Sequence, residues 1–245
     1  MTDAAFDRRT LDASCLNADG LNLQAVFDLA ALPATVLEPL HGHDPRYRQL
    51  ILLGHGGSRL WQQVQVSGIA SEHPIDDFTR RTVGEWAAGQ LPGRAWKIVY
   101  PDHQSTRPVG LQALGKLAGW HHDSPFMVGI NPQWGSWFAY RAVLLADSDF
   151  APTPRAETVS PCLSCVGSPC IAACPGAAMD DGRFALDRCV TYRQSQGSRC
   201  QTSCLARLRC PVAAENRYPA AQMAHTYAIS LQMIARYYGR PKPTA

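Results

Sequence analysis

The sequence predicts an α+β protein in two parts. A mixed helix-and-strand domain over residues 1–150 is followed by a cysteine-rich module over 160–215, with a linker at 151–159 and a C-terminal helix within 216–245 packing on the core. Three observations predict this. Between about Leu21 and Phe150, apolar runs of strand length alternate with stretches of helical periodicity. Eight of the nine cysteines fall between Cys162 and Cys210. Ala151–Val159 holds Pro and Thr without an apolar pattern, as a linker does. A chain of 245 residues suits one large domain, or one domain with a small module.

The elements follow in order. Gln49–Gly54 is a short apolar run and reads as a buried strand. It leads into Gly54-His55-Gly56-Gly57-Ser58 and a helix from about Arg59. That loop is either an anion cradle on helix N–H groups or a plain strand-to-helix turn; it lacks the Gly-Lys-Ser/Thr ending of a P-loop. His73-Pro74 opens a helix through about Gln90, with Phe78, Val83 and Trp86 on one face, and Pro92-Gly93 ends it. Ala95–Tyr100 is a strand. Pro108 opens another helix, with Leu111, Leu114, Leu117 and Ala118 inward. Phe126–Ile130 and Phe138–Leu145 read as strands joined by Asn131–Ser136. Ala220–Tyr238 is a long helix whose stripe of Met223, Tyr227, Leu231, Ile234 and Tyr238 reads as core packing.

The cysteines carry the chemistry. The first run is Cys162-x2-Cys165-x4-Cys170-x3-Cys174-Pro175, and the second is Cys189, Cys200, Cys204 and Cys210-Pro211. A Cys-x2-Cys start with an x3-Cys-Pro finish is the ligand pattern of bacterial-type ferredoxins, in which the Cys of each Cys-Pro ligates the other cluster. By that rule one [4Fe–4S] cluster takes Cys162, Cys165, Cys170 and Cys210, and a second takes Cys174, Cys189, Cys200 and Cys204. The x4 gap and the irregular second run leave open a [3Fe–4S] form. Tetrahedral zinc competes, since Cys-x2-Cys also suits it, but zinc sites do not call for two Cys-Pro endings. Structural disulfides would need an oxidising compartment. Cys15 stands apart and reads as a free thiol.

Composition excludes some functions. The formal charge is +3, and two oxidised clusters at about −2 each bring it to about −1, which argues against a nucleic-acid-binding surface. No apolar run approaches the ~18 residues a membrane helix needs. Met1–Leu11 lacks the apolar core of a signal peptide, and a reducing cytoplasm is the expected location.

Three segments in the first part agree, in order, with one family. Tyr100-Pro101-Asp102-His103-x3-Arg107-Pro108, Ala118-Gly119 and Gly135-Ser136-Trp137-Phe138-Ala139-Tyr140-Arg141 resemble the CblC-type cobalamin-processing proteins, over about residues 45–150. The resemblance implies a nitroreductase-like α+β fold and a corrin site. It would place His103 close to the corrin, Arg107 on corrin amides, Trp137 and Phe138 as walls, and Arg141 at the cofactor edge or a thiol co-substrate. Each has a plainer alternative: a hydrogen-bonded histidine, a helix cap, core aromatics, an ion-paired strand arginine. His121-His122 is a weak metal pair, because adjacent residues point apart. The cysteine region resembles epoxyqueuosine reductase and the corrinoid reductive dehalogenases, with Arg188-Cys189-Val190-Thr191-Tyr192 matching a segment of the former. No Asp-x-His-x2-Gly segment occurs in the chain, so the resemblance implies base-off cobalamin without a protein axial ligand.

Together these imply a cobalamin-binding iron–sulfur reductase. An external low-potential donor (a flavodoxin, a ferredoxin or a flavoprotein reductase) would feed two clusters that pass electrons to corrin cobalt. Reductive removal of the upper axial ligand of B12, by decyanation or dealkylation, is the expected reaction, with no acid or base residue assigned. A corrinoid reductase of another substrate of the epoxyqueuosine type, a ferredoxin-like electron carrier and a B12 chaperone remain as alternatives.

Overall fold

The computed structural model describes residues 8–102 and 108–239. The elements run α1 (Ser14–Ala18), β1 (Leu23–Asp28), α2 (Ala34–Leu37), β2 (Gln49–Gly56), α3 (Arg59–Ser67), α4 (Pro74–Gln90), β3 (Trp96–Tyr100), α5 (Leu111–Leu117), β4 (Phe138–Ala146), α6 (Pro169–Ala172), α7 (Leu186–Gln194), α8 (Leu205–Arg209) and α9 (Ala220–Tyr238). The fold is α+β. Two compact units form: one from Met1–Trp120 with Ala139–Glu157, the other from His121–Phe138 with Thr158–Ala245. Among the described residues no helix is long and apolar enough to cross a membrane.

The first unit is built on a four-stranded sheet ordered β1-β2-β4-β3. β1 and β2 pair antiparallel with Leu23 opposite Gly54, and β3 and β4 with Trp96 opposite Ala146. β2 and β4 also run in opposite senses, since Arg48 N–H donates to Ala146 at one end while Gly54 lies beside Ala139 at the other. Every residue of β2 is buried, so its apolar run is continuous rather than alternating. Ile51 and Leu53 join Ala142, Leu144 and Ala146 against α3 and α4, where Leu60, Val64, Phe78, Val83 and Trp86 complete a core. Burying each large side chain contributes ~1.5–3 kcal/mol. Leu50, Leu52, Val143 and Leu145 are buried on the opposite face.

Local chemistry sets the boundaries. Pro74 occupies the first turn of α4, where its missing N–H costs nothing, and Asp76 and Asp77 favour the positive end of the helix dipole. α3 ends at Gly68 in the left-handed region. α5 begins at Leu111 rather than Pro108, because Gly110 takes a non-helical cap conformation. Gln49 is buried with all four amide positions used. Its Nε2 donates to Asp28 Oδ1 (2.8 Å) and the Phe150 carbonyl (2.7 Å), and its Oε1 accepts from Ser148 Oγ (2.8 Å) and Phe150 N–H (2.9 Å).

Residues 151–157 have no regular structure but are pinned to the first unit. Thr153 N–H donates to the Val26 carbonyl and Thr153 Oγ accepts from Val26 N–H, both at 2.9 Å. Ala156 N–H donates to the Ala118 carbonyl at 3.1 Å. Gly119, at φ +76, permits that approach, since a Cβ there would stand 2.1 Å from the Ala156 carbonyl oxygen.

In the second unit, short helices α6–α8 and the long α9 surround the cysteines, with α9 packed on α7. The expected strand Phe126–Ile130 is a turn instead. Met127 has φ +66, Ser124 Oγ donates to the Val128 carbonyl at 2.5 Å, and only Ile130 makes a bridge, to His122. Local turn bonds override the β propensity of the apolar residues. The stripe on α9 is half-buried at Met223, Tyr227, Leu231 and Ile234 and exposed at Tyr238; the fully buried residue of this helix is Gln222.

Candidate metal centre

The two cysteine runs fold so that thiols from both meet. Cys174, at the end of the first run, lines one cavity of about 280 Å³ with Cys189, Cys200 and Cys204 of the second. Cys189 is presented by α7, and Cys204 caps α8, its Sγ accepting from the Arg207 N–H at 3.5 Å. Phe126, Val128, Met179 and Phe184 supply apolar walls.

Cys162, Cys165, Cys170 and Cys210 form a second neighbourhood. Cys162 interacts electrostatically with Cys210 and Cys165, Cys170 with Cys210 and Cys162, and Cys210 with Cys165. Gly167 (φ +72) and Ser168 (φ +39) turn the chain sharply between Cys165 and α6, which accommodates the four-residue gap. Cys170 and Cys210 sit in an apolar cluster with Phe126, Ile130, Met179 and Ala206. Leu163 and Val166, on the loop that carries Cys162 and Cys165, are exposed.

Burial pushes the Cys189 thiol up to about 11, with Cys204, Cys174 and Cys200 adding to the rise. Burial also raises Cys200, Cys162, Cys170 and Cys210 above the ordinary thiol value. An apolar pocket of thiols favours the neutral form until a cation compensates the thiolates. Among the described residues no three His, Cys, Asp or Glu side chains converge to hold a single metal ion. The four thiols of the cavity border one largely apolar space. All nine cysteines are free thiols, with Cys15 exposed and distant in sequence from the rest.

The other candidates fall as follows. His103 and Arg107 lie outside the described residues. Trp137 is fully buried in the second unit, 5.5 Å edge-on to Tyr218, with the Arg207 guanidinium 4.5 Å from its ring centre. Phe138 is also buried. Neither ring offers a corrin an open face here. Arg141, half-buried in β4, donates from Nε to Nδ1 of the buried His55 at 2.9 Å. The partly accessible part of this segment is therefore Ala139–Arg141. Burial raises the neighbouring Tyr140, whose hydroxyl lies where a Cβ on Gly115 would be.

Of the Gly-rich segment, Gly54-His55-Gly56 complete β2 and Gly57-Ser58 make a strand-to-helix turn, with Gly56 N–H taken by Asn22 Oδ1 (2.8 Å). His121 is buried beside Gly129 and lies 3.4 Å from Asp123, while His122 turns to Thr158 Oγ at 2.9 Å, so the two histidines diverge. Sequence reasoning did not single out Arg193, Arg207 or Ser230, which line the thiol cavity. Isolated arginines and a helix serine carry no spacing signal that could have found them.

No family model matches the sequence, and no curated protein does. Solved structures do. An epoxyqueuosine reductase from Bacillus subtilis superposes with a TM-score of 0.52 at 13% identity, over 84% of this chain and 66% of that one. A catabolic reductive dehalogenase gives 0.52 at 15% identity, over 89% and 33%. The B12-trafficking protein CblC of C. elegans gives 0.47 at 14% identity, over 94% and 89%. The chain thus spans just under two thirds of the B. subtilis reductase and one third of the dehalogenase. At these identities the likeness is one of fold: this chain has the α+β fold found in epoxyqueuosine reductase and in the dehalogenase.

Proposed function

We propose that this chain is a cobalamin-dependent iron–sulfur reductase, an oxidoreductase that removes the upper axial ligand of B12 reductively. The observation that carries the reading is the assembly of Cys174 with Cys189, Cys200 and Cys204 around one apolar cavity, beside a second neighbourhood of Cys162, Cys165, Cys170 and Cys210. Each set would hold one [4Fe–4S] cluster. When bound, the clusters supply one-electron transfer at potentials that extend to about −700 mV, and cobalamin supplies a reducible cobalt. The chain's own part is to hold the thiolates, to exclude water with Phe126, Val128, Met179 and Phe184, and to present Ala139–Arg141 as accessible surface. Cobalamin enters through the resemblance of residues 45–150, and the fold shared with two reductases supports it. His103, Arg107 and Arg141 are its proposed contacts.

The test is an anaerobic optical titration of cluster-reconstituted protein with cyanocobalamin, before and after reduction. The expected result is a base-off spectrum, then reduced cobalamin only when the clusters are intact. Unchanged corrin absorbance beside an intact cluster band would leave a ferredoxin-like electron carrier. Binding without cluster-driven reduction would leave a B12 chaperone. A second reading, a corrinoid reductase of a separate substrate, is favoured by the fold match to epoxyqueuosine reductase. Turnover of an epoxyqueuosine substrate, with the B12 upper ligand left in place, would select it.

A further inference from the structure

The cavity of Cys174, Cys189, Cys200 and Cys204 is also lined by two arginines that a thiolate site does not require. Arg193 on α7 and Arg207 on α8 are only 7% and 6% exposed. Among the described residues, the hydrogen-bond partners of their guanidinium groups are neutral. Arg193 donates from Nε to the Cys200 carbonyl (3.1 Å), from Nη1 to Ser230 Oγ (2.9 Å) and from Nη2 to the Tyr227 carbonyl (3.1 Å). Arg207 donates from Nε to Ser136 Oγ (3.3 Å) and from Nη2 to the Ser136 carbonyl. The Arg207 guanidinium also lies 4.5 Å from the ring centre of Trp137 and 5.0 Å from that of Tyr218. Among the described residues, every Arg–carboxylate ion pair belongs to another arginine.

A guanidinium stays charged at any physiological pH. Burying one without an anion is costly, and neutral acceptors and ring faces offset only part of that cost. Among the described residues, no aspartate or glutamate lines the cavity. Apart from the phenols of Tyr192 and Tyr227, the groups there that can become anionic near these cations are the thiols. Arg193 interacts electrostatically with Cys189 and Cys200, and the Arg207 backbone N–H bonds Cys204 Sγ.

We infer that Arg193 and Arg207 are built-in counter-charges of the cluster held by Cys174, Cys189, Cys200 and Cys204, raising its reduction potential. The inference rests on reading the cavity as a cluster site. Uptake of one electron from a low-potential reductant, dithionite in the assay, takes the four-thiolate set from about −2 to about −3. No bond forms or breaks and no proton is required. Two fixed cations favour the more negative state, and the potential rises.

The experiment is an EPR-monitored dithionite titration of reconstituted full-length protein, as wild type and as Arg193→Gln, Arg193→Lys, Arg207→Gln and Arg207→Lys, with iron and sulfide measured on each. In the Gln variants, one of the two couples is expected to become at least tenfold harder to reduce, ~59 mV lower for a one-electron step, while the other stays put. The Lys variants are expected to recover most of the shift. Loss of one cluster in the Gln forms with retention in the Lys forms also supports the inference. Wild-type iron content with both potentials unmoved overturns it. So does loss of the cluster in Gln and Lys forms alike, which assigns the arginines to packing. A wild type that takes up no cluster refutes the cluster reading itself, a result distinct from either.

Discussion

Cys170 and Cys174 stand four positions apart, yet they border different sets. Cys174 opens onto the cavity with Cys189, Cys200 and Cys204, whereas Cys170 is coupled to Cys162 and Cys210. Substituting Ala at each therefore separates neighbours in sequence from neighbours in space. Cys174→Ala leaves three thiols in its set and four in the other. If a three-iron form persists, the iron per chain falls by about one eighth; if the cluster is lost, by about one half. Cys170→Ala gives the same loss from the opposite set. Anaerobically reconstituted variants would be assayed for iron and sulfide and by EPR of the reduced state. Cys174→Ala and Cys189→Ala should extinguish one signal, and Cys170→Ala and Cys210→Ala the other. If Cys170→Ala and Cys174→Ala extinguish the same signal, the reasoning from the cavity is refuted.

Further outcomes concern the scaffold and the bare thiols. Gln49→Leu removes four hydrogen bonds, three of them buried, and strands Phe150 N–H and C=O; at ~1–3 kcal/mol for each unsatisfied group, it should cost about 2–6 kcal/mol in urea unfolding, and a loss under ~1 kcal/mol would show the node is not needed. Gly119→Ala combines a left-handed backbone with a clash on the Ala156 carbonyl, and should release residues 151–157 to limited proteolysis while Gly68→Ala, where nothing crowds the Cβ, does not. In metal-free protein, the Cys189 thiol pushed up to about 11 is neutral at pH 8, so its alkylation, followed by mass spectrometry, should rise roughly tenfold per pH unit up to that value, with exposed Cys15 modified first. Folding raises this thiol's pKa from 9.0, so its stabilising contribution is whole below 9 and is lost as pH climbs through about 11.

What the sequence determined by itself was local. The strand Gln49–Gly54, the helices from Pro74 and Ala220 and the strand at Phe138 were legible because their apolar spacing, or a proline at the first turn, acts within one element. Cysteine spacing likewise marked eight thiols as one kind of chemistry. The tertiary structure decided what depends on distant partners. Residues 121–138 belong with the cysteines, although no periodicity announces it. Phe126–Ile130 turns because Ser124 and Met127 form a local bond and a left-handed kink that hydrophobicity does not encode. Trp137, expected as a cofactor wall, is spent on Arg207 and Tyr218, and the Gly56 N–H is spent on Asn22. The two buried arginines became visible only when folding placed them on the thiol cavity. A charge reveals its role through what surrounds it, and those surroundings are drawn from segments far apart in the chain.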